Sequence, residues 1–390
     1  MSDFGFDNIT PRRQTGSYKW DEYQSDSPDT IEMWVADMDF PTAPCVIEAL
    51  RRRVDHGIFG YTFVPDEYYE ALISWFDRRH GYRIKRENVI YTSGVVPALS
   101  AVIKALTDPG DGVIVHTPAY NCFFSSIKNN GCRVVASPLR RIGLTPTEFT
   151  YQMDFDDIER LASDPSNKLL LLCNPHNPSG RLWSRDELER LAEICHRHGV
   201  RVVSDEIHCE LTMPGTGYTP YALVDPDAVV CSSPSKAFNT AGLQIANIIA
   251  PDSRVRALVD KAININEVCD VNPFGVTALM AAYNEGEQWL NALRDYLAGN
   301  YACLKDFFSR QLPEYPVARL EATYLVWVDI AAAGIDGDRL EQYLAENFKV
   351  RINGGNIYGD PRYMRINIAC PRKQMSEGLE RIARGLHSLR

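Results

Sequence analysis

The sequence has 390 residues, of which 45% are hydrophobic and 24% are charged, and its formal net charge is -10. This composition is that of an ordinary globular protein, and the length predicts a large domain plus a smaller one, because single cores stop growing at about 250–300 residues. The negative charge argues against nucleic acid or an anionic membrane as a partner, since those surfaces are bound by a basic face.

The N-terminal residues 1–20 carry charged and polar side chains without an apolar stretch, so neither a signal peptide nor a membrane span is expected there. The ten cysteines are scattered and include no Cys-x-x-Cys pair. This pattern predicts free thiols rather than a disulfide framework, and no metal site. We therefore expect a cytoplasmic protein.

The first 45 residues are polar and flanked by prolines, and we expect them to pack on the smaller domain. Residues 89–235 then alternate short apolar runs with helical patterns, which is typical of an α/β fold with a mostly parallel central sheet covered by helices. The predicted strands are Val89 to Thr92, Val113 to His116, Arg133 to Ser137, Lys168 to Cys173, Val200 to Ser204 and Ala228 to Cys231.

A helix is predicted after Ser184, because Ser184 and Glu187 form a capping-box pattern and Gly199 ends the apolar periodicity. After residue 281 the pattern changes to a long helical region, then Ala322 to Asp329 as a strand, Asp338 to Phe348 as a helix, Tyr363 to Ala369 as a strand and a last helix from Met375. The predicted large domain is therefore 46–280, and 1–45 with 281–390 form the smaller α+β domain.

Polar residues follow three of the predicted strands. In an open α/β sheet, ligands bind outside the carboxyl ends of the strands, so these positions are the first candidates for a site. They are Asn174-Pro175-His176-Asn177-Pro178-Ser179-Gly180, Asp205-Glu206-Ile207-His208 and Ser232-Ser233-Pro234-Ser235-Lys236. An amide, a carboxylate and an amine are thereby predicted to meet in one cleft.

The pairing of Lys236 with Asp205 indicates a particular chemistry. A lysine with a lowered pKa can form an imine with an aldehyde cofactor, and a nearby aspartate keeps a pyridine nitrogen protonated so that the ring accepts electrons. Each residue alone has an ordinary explanation, since most lysines lie on the surface and a strand-end aspartate is usually a cap. Their order at neighbouring strand ends favours the functional interpretation.

These elements resemble the pyridoxal-phosphate aminotransferase superfamily of class I and II, which has fold type I. The Asn-Pro-x-Gly, Asp-x-x-Tyr/His and Ser-x-Ser-Lys signatures are present. The segments Met33 to Pro41, Gly60-Tyr61, Ser233 to Asn239 and Arg365 to Arg372 are similar to its cystathionine β-lyase and C–S lyase branch, the MalY/PatB type. The resemblance spans nearly the whole chain and implies a PLP-binding domain plus a smaller domain.

The resemblance implies roles for residues around the cofactor ring. Lys236 is the Schiff-base lysine and proton shuttle, Asp205 the partner of the pyridine nitrogen, and Asn177 the donor to the ring oxygen and a substrate contact. His208 occupies a position where many relatives have tyrosine, with a core histidine as the alternative. Tyr120 is the catalytic aromatic that stacks on the ring, with ordinary core packing as the alternative.

The phosphate and the substrate are assigned in the same way. Backbone amides of Ser93, Gly94 and Val95 before a helix, with the hydroxyls of Ser233 and Ser235, are the expected phosphate donors. Tyr61 is expected to reach the phosphate from the other subunit of a homodimer. Gln244 departs from the family pattern, because many members have a phosphate-binding arginine there. We therefore expect phosphate binding to depend more on neutral donors. Arg365 is the expected clamp for the substrate carboxylate, and Trp34 a further substrate contact.

The function expected from the resemblance is PLP-dependent β-elimination of cystathionine or of cysteine S-conjugates to a thiol, pyruvate and ammonia. Aminotransfer is the first alternative, because the same residues serve transamination and a fold does not determine the reaction. A PLP-fold protein with a regulatory binding role is the second. His208, Gln244 and the Trp34 to Phe40 segment favour the lyase.

Overall fold

The computed structural model describes residues 4–23, 27–265 and 271–389. The helices are α1 Tyr18–Asp21, α2 Pro44–His56, α3 Asp66–His80, α4 Val95–Leu106, α5 Asn121–Asn129, α6 Phe155–Ala162, α7 Arg185–His198, α8 Ser253–Asn264, α9 Pro273–Glu285, α10 Glu287–Gln311, α11 Gly337–Phe348 and α12 Arg372–Ser388. The strands are β1 Ile31–Glu32, β2 Val89–Thr92, β3 Gly112–Thr117, β4 Arg133–Pro138, β5 Arg140–Thr145, β6 Glu148–Gln152, β7 Asn167–Cys173, β8 Arg201–Asp205, β9 Val229–Ser232, β10 Ala246–Ile249, β11 Val317–Ala318, β12 Leu325–Asp329, β13 Val350–Arg351, β14 Asn353–Gly354 and β15 Tyr363–Asn367.

A seven-stranded sheet forms the centre of the molecule, in the order β2-β10-β9-β8-β7-β3-β4. Strands β9, β8, β7, β3 and β4 are parallel to their neighbours in this series. Strand β10 is antiparallel to both of its neighbours. The six predicted strands of this region are confirmed within one residue at each end, and the mostly parallel α/β sheet is confirmed with them; β10 was not predicted.

The helices predicted to cover the sheet do so through apolar faces. In α7 the capping box is present, because the Ser184 hydroxyl accepts a hydrogen bond from the Glu187 N–H and the Glu187 carboxylate accepts one from the Ser184 N–H. Gly199 ends this helix with a φ of 70°, a left-handed conformation that glycine adopts without strain. The buried face of α7, with Leu188, Leu191 and Cys195, joins the core formed with strands of the sheet.

A second sheet has the order β14-β15-β12-β11-β6-β5. It contains the hairpin β5–β6, which comes from within the range 46–280 that was predicted as the large domain. In this sheet β6 pairs with β11, a strand from the C-terminal part of the chain. Strand β1 pairs in parallel with β13, which ties the N-terminal residues to the C-terminal part as expected. The domain boundaries themselves stay a prediction. Across the ranges that the structure describes, no helix combines the length and the apolar character needed to cross a membrane.

Candidate active site

The ends of β7, β8 and β9 open into one cleft. These strands are adjacent and parallel, so the residues that follow them lie on the same edge of the sheet. The cleft also receives the loop before α4 and the start of α5. Its lining contains most of the residues predicted from the sequence, namely Ser93, Gly94, Val95, Tyr120, Asn177, Asp205, His208, Ser235 and Lys236.

Lys236 reaches the cleft from the turn after β9. Its Nζ donates a hydrogen bond to the carbonyl of Ala36 at 2.7 Å, and it forms no ion pair with the acidic groups of the described residues. Burial, together with the nearby charge of Arg365, lowers the pKa of Lys236 to about 8. A substantial fraction of this amine is therefore neutral, and so nucleophilic and basic, near physiological pH.

Asp205 ends β8 and is 2% exposed. Its carboxylate accepts a hydrogen bond from the Ile207 N–H at 3.1 Å, and no cation pairs with it in the part of the chain that the structure describes. Burial raises the pKa of Asp205 to about 7. A buried carboxylate without a cationic partner is costly, and a ligand with a positively charged N–H would relieve that cost.

His208 lies one turn beyond Asp205 and is also 2% exposed. Burial, with the charges of Lys236 and Arg365, lowers the pKa of His208 to about 3, so the imidazole is neutral. Its Nδ1 has no hydrogen-bond partner among the described residues. His208 lines the cleft, and a neutral imidazole there can donate to or accept from a ligand oxygen.

Arg365, in β15, is 3% exposed and lies opposite these groups. Its guanidinium donates to Asn177 Oδ1 at 3.2 Å, to the Trp34 carbonyl at 2.8 Å and to Asn353 Oδ1 at 2.8 Å. It also stacks over the Tyr358 ring at 4.7 Å. All of these partners are neutral, so the site holds a buried cation in a fixed orientation, with no anion paired to it in the described ranges, as a receptor for a carboxylate requires.

The phosphate side of the cleft is built from neutral donors. Helix α4 begins at Val95 directly after Gly94, and its first backbone N–H groups have no partner within the helix. The Ser235 hydroxyl faces the cleft, whereas the Ser233 hydroxyl donates to the Ile245 carbonyl at 2.7 Å and accepts from the Ser235 N–H. Ser233 thus shapes the turn, and Ser235 is the serine of this motif that is available to a ligand. Gln244 is exposed.

Of three further predicted residues, Tyr120 lines the cleft, whereas the side chains of Trp34 and Tyr61 lie outside it. Tyr120 lines the cleft at the N-terminus of α5, and burial raises the pKa of its phenol, which therefore stays protonated. The Trp34 indole donates to the Lys19 carbonyl and lines a separate groove of about 680 Å³, so Trp34 touches the cleft region through its carbonyl alone. Tyr61 is 97% exposed and does not line the cleft of its own chain.

These groups fit pyridoxal phosphate. The unpaired buried carboxylate of Asp205 suits a protonated pyridine nitrogen, the partly neutral amine of Lys236 suits an aldehyde, and the helix N-terminus at Val95 suits a phosphate. His208, whose Nδ1 has no partner among the described residues, lines the same cleft. Each polar part of the cofactor therefore has a counterpart whose own hydrogen bonding is incomplete.

The structure adds residues that the sequence did not indicate. Asn353 and Tyr358 contact Arg365, the Ala36 carbonyl contacts Lys236, and Tyr324 donates to that same carbonyl at 3.0 Å. A backbone carbonyl leaves no side-chain signal in a sequence. Asn353, Tyr358 and Tyr324 come from distant segments that only the folded chain brings to the cleft.

Comparison with known families gives a match over most of the chain. The family model described as aminotransferase class I and II matches residues 28–382. A curated relative, cystathionine beta-lyase PatB of Bacillus subtilis (strain 168), is 40% identical over 389 residues, which cover 98% of this chain and 99% of that protein.

Two solved structures are similar over nearly their whole length. Cystalysin from Treponema denticola, which contains a pyridoxal 5'-phosphate cofactor, superposes with a TM-score of 0.95 at 33% identity and covers 99% of this chain and 100% of its own. The PLP-bound C–S lyase from Staphylococcus hominis superposes with a TM-score of 0.90 at 36% identity, covering 98% and 99%.

Proposed function

The chain belongs to the class I and II aminotransferase family, in its PLP-dependent C–S lyase branch, and we propose that it cleaves the Cβ–S bond of cystathionine or of related cysteine S-conjugates. The observation that carries this proposal is a buried amine and a buried carboxylate that line one cleft, with a buried guanidinium bonded to the cleft residue Asn177; among the described residues none of these three groups has an ionic partner. When bound, pyridoxal phosphate supplies an electron-accepting ring that stabilises negative charge at the substrate Cα.

We assign substrate orientation to Arg365. Its planar guanidinium binds the α-carboxylate through two parallel N–H groups, and Asn353, Asn177 and the Trp34 carbonyl fix the plane of the fork. A substrate held by its carboxylate at Arg365 would present its Cα–H bond to Lys236. Holding a reacting bond in one orientation contributes much of the rate of such reactions.

Lys236 acts as the general base in this proposal. Its neutral amine removes the Cα proton, the Cβ–S bond breaks, and the electron pair of that bond leaves with sulfur as a thiolate. The resulting ammonium of Lys236 returns a proton to the thiolate, so the proton balance closes within the cleft. One water then converts the remaining three-carbon unit to pyruvate and ammonia.

The other residues keep the cleft in the required protonation state. The Asp205 carboxylate would keep a proton on the pyridine nitrogen. The amide NH₂ of Asn177, whose Oδ1 accepts from Arg365, would donate to the ring oxygen. The neutral imidazole of His208 adds a second contact on that side. Tyr120, with its protonated phenol, would cover one face of the ring.

We also propose that the active unit is a homodimer with Tyr61 contributed by the other subunit. The segment around it exposes apolar side chains that a monomer gains nothing by exposing: Ile58 is 66%, Phe59 55% and Phe63 79% exposed. The phosphate donors in this chain are neutral, and the hydroxyl of Tyr61 from a second subunit would add one more hydrogen-bond donor to the phosphate. We retain the cytoplasm as the compartment, because the nine cysteines of the described residues are free thiols.

The decisive experiment incubates the PLP-loaded protein with L-cystathionine and no keto acid. Pyruvate and homocysteine are expected in equal amounts, and borohydride treatment of the resting enzyme is expected to label Lys236. A strict requirement for an added keto acid would instead show an aminotransferase. A panel of cysteine S-conjugates in the same assay ranks the substrates.

A further inference from the structure

Residues 33–40, which we call the 33–40 segment, pass along the cleft beside Lys236. Ala36 lines the cleft, and its carbonyl accepts from Lys236 Nζ at 2.7 Å and from the Tyr324 hydroxyl at 3.0 Å. This is the hydrogen bond that the structure gives to the Lys236 amine. The position of one backbone carbonyl therefore determines where that amine points.

Two asparagine side chains bind the backbone on either side of Ala36. Asn367 Nδ2 donates to the Val35 carbonyl at 2.6 Å and to the Asp37 carbonyl at 2.7 Å. These are the carbonyls immediately before and after that of Ala36. Val35, Ala36 and Asp37 form a bend. Because one amide binds the carbonyls on both sides of Ala36, it fixes the shape of this bend and with it the direction of the Ala36 carbonyl, which bonds Lys236.

Asn239 binds the segment two residues further on. Its Nδ2 donates to the Met38 carbonyl at 3.0 Å and to the Phe40 carbonyl at 2.9 Å, and its Oδ1 accepts from the Met38 N–H at 3.0 Å. Asn239 follows Lys236 by three residues in the same turn. This turn therefore carries the Lys236 amine and also binds the 33–40 segment, which accepts the hydrogen bond of that amine. The backbone of Asn239 has a φ of 54°, which asparagine tolerates better than most residues.

A fixed acceptor matters because lysine is flexible. A neutral amine that donates one N–H to a fixed oxygen has its lone pair restricted to a narrow range of directions, whereas a free four-carbon side chain samples many rotamers. Proton abstraction needs the lone pair aligned with the Cα–H bond. We propose that Asn239 and Asn367, with Tyr324, are positioning residues that hold the Ala36 carbonyl so that it orients the Lys236 amine for proton abstraction.

The inference rests on the proposed function in that Lys236 is the base. The chain offers a matched control in Asn300, whose Nδ2 donates to the carbonyls of Ile368 at 2.9 Å and of Cys370 at 3.0 Å. Asn300 is fully buried and binds two backbone carbonyls as Asn367 does, but those carbonyls do not contact Lys236. Changing all three asparagines in the same way therefore distinguishes two effects. One is the loss of any pair of hydrogen bonds to backbone carbonyls, and the other is a change in the position of the Ala36 carbonyl.

The test compares Asn239→Asp, Asn367→Asp and Asn300→Asp in the PLP-loaded enzyme. Each change keeps the side-chain shape and the acceptor oxygen but removes the two donated hydrogen bonds. We measure kcat and KM per PLP-loaded site with L-cystathionine, and the primary isotope effect with substrate deuterated at Cα. For the first two variants kcat is expected to fall about 10- to 100-fold with KM within about threefold, and the isotope effect to rise, because misplacement slows proton abstraction itself.

Asn300→Asp loses the two donated hydrogen bonds but keeps the contact in which Oδ1 accepts from Arg372 Nε at 3.1 Å. It is expected to leave kcat per loaded site and the isotope effect at wild-type values. Asn239→Gly repeats the test without an added carboxylate, since glycine adopts the left-handed φ freely. Tyr324→Phe repeats it if neither Asn239 variant folds. The inference is overturned if kcat per loaded site stays within about twofold of wild type, or if it falls with an unchanged or smaller isotope effect.

These outcomes are separate from those of the proposed function. A wild-type enzyme that released no pyruvate would remove the lyase, and the positioning residues would then be tested by exchange of the Cα proton of L-alanine with deuterated water. Slower exchange in the Asn239 and Asn367 variants than in Asn300→Asp would support the inference, and equal exchange would overturn it.

Discussion

Two regions of this molecule each contain an arginine, a lysine and an aspartate that are wholly or largely buried, and they treat these charges in opposite ways. One set lies in the N-terminal network, Arg12, Lys19 and Asp39, and the other in the cleft, Asp205, Lys236 and Arg365. In the network, Lys19 Nζ lies 3.1 Å from the Asp39 carboxylate and Arg12 lies 2.7 Å from it. In the cleft, the structure shows no such ion pair among the described residues.

The two aspartates show what this difference means. Burial alone would raise the pKa of Asp39, but the charge of Lys19 and hydrogen bonds from Trp20 and Arg12 outweigh it, and its pKa is lowered. For Asp205 burial dominates, and its pKa rises to about 7. The network therefore satisfies its charges within the protein, whereas the cleft keeps its charges unsatisfied for a ligand, at a cost in stability.

The largest contrast is expected between the two lysines. Lys236→Ala should lower pyruvate release from L-cystathionine by about 10⁴-fold, because the general base and the covalent attachment point are lost together. The free energy of unfolding of the apoprotein should stay the same or increase, since an unpaired amine is removed from the cleft. Coupled pyruvate detection and urea unfolding measure the two effects.

Lys19→Ala is the matched control and should behave in the reverse way. It leaves Asp39 with one cation fewer in a buried position, which is expected to cost about 3 kcal/mol of unfolding free energy. At a temperature where the variant is folded, kcat per PLP-loaded site should equal that of wild type. A loss of turnover in Lys19→Ala as large as in Lys236→Ala would remove the distinction between the two regions.

The same isosteric change at the two aspartates should alter stability in opposite directions. At pH 7.5, Asp39→Asn is expected to destabilise the apoprotein by about 3–5 kcal/mol, because Lys19 remains buried without its full partner. Asp205→Asn is expected to stabilise it by up to about 4 kcal/mol, since folding no longer moves the carboxylate pKa from about 4 to about 7. Urea unfolding at several pH values measures both.

The sign of the pH dependence follows from the two pKa directions. A raised folded pKa means that Asp205 contributes its stability in full below about pH 4 and loses it as the pH rises to about 7, so the advantage of Asp205→Asn should appear between these values. The lowered pKa of Asp39 means that its contribution is present above about pH 4 and is lost as the pH falls further. Parallel stability curves for wild type and Asp205→Asn would contradict the assignment.

The sequence predicted the cleft better than the network. Asp205 and Lys236 follow apolar runs, and strand ends at one edge of a parallel sheet converge, so their meeting could be inferred without coordinates. Strand β10 was missed because it follows β9 after an irregular turn and runs antiparallel, which a pattern of alternating strands and helices does not suggest. The hairpin β5–β6 was missed because β5 is largely exposed and the short strand β6 alternates apolar residues with polar ones, so neither forms an apolar run.

The network and the 33–40 segment could not be predicted for a different reason. Lys19, Asp39 and Arg12 lie in a polar stretch without periodicity, and nothing in the pattern says which charges pair. The contacts of Ala36 involve a backbone carbonyl, which has no residue type to recognise. The role of Trp34 shows the same limit, because its motif points to the cleft while its indole lies in another groove. Local pattern predicts elements and strand ends; pairing across distant loops requires the fold.

The smallest effects are expected when either arginine is replaced by lysine, because this change keeps the positive charge and removes only the planar guanidinium with its paired N–H groups. Arg365→Lys should raise KM for L-cystathionine about 10- to 100-fold, because one point charge replaces a bidentate contact worth about 1.5–3 kcal/mol. The free energy of unfolding should change little, since the partners of Arg365 in the protein are neutral. Arg12→Lys should leave KM unchanged and cost about 2 kcal/mol of stability, because Arg12 bonds both Asp37 and Asp39. A raised KM in Arg12→Lys, or an unchanged KM in Arg365→Lys, would mean that the unpaired guanidinium is not the carboxylate receptor, and that the cleft leaves this cation unsatisfied for some other ligand group.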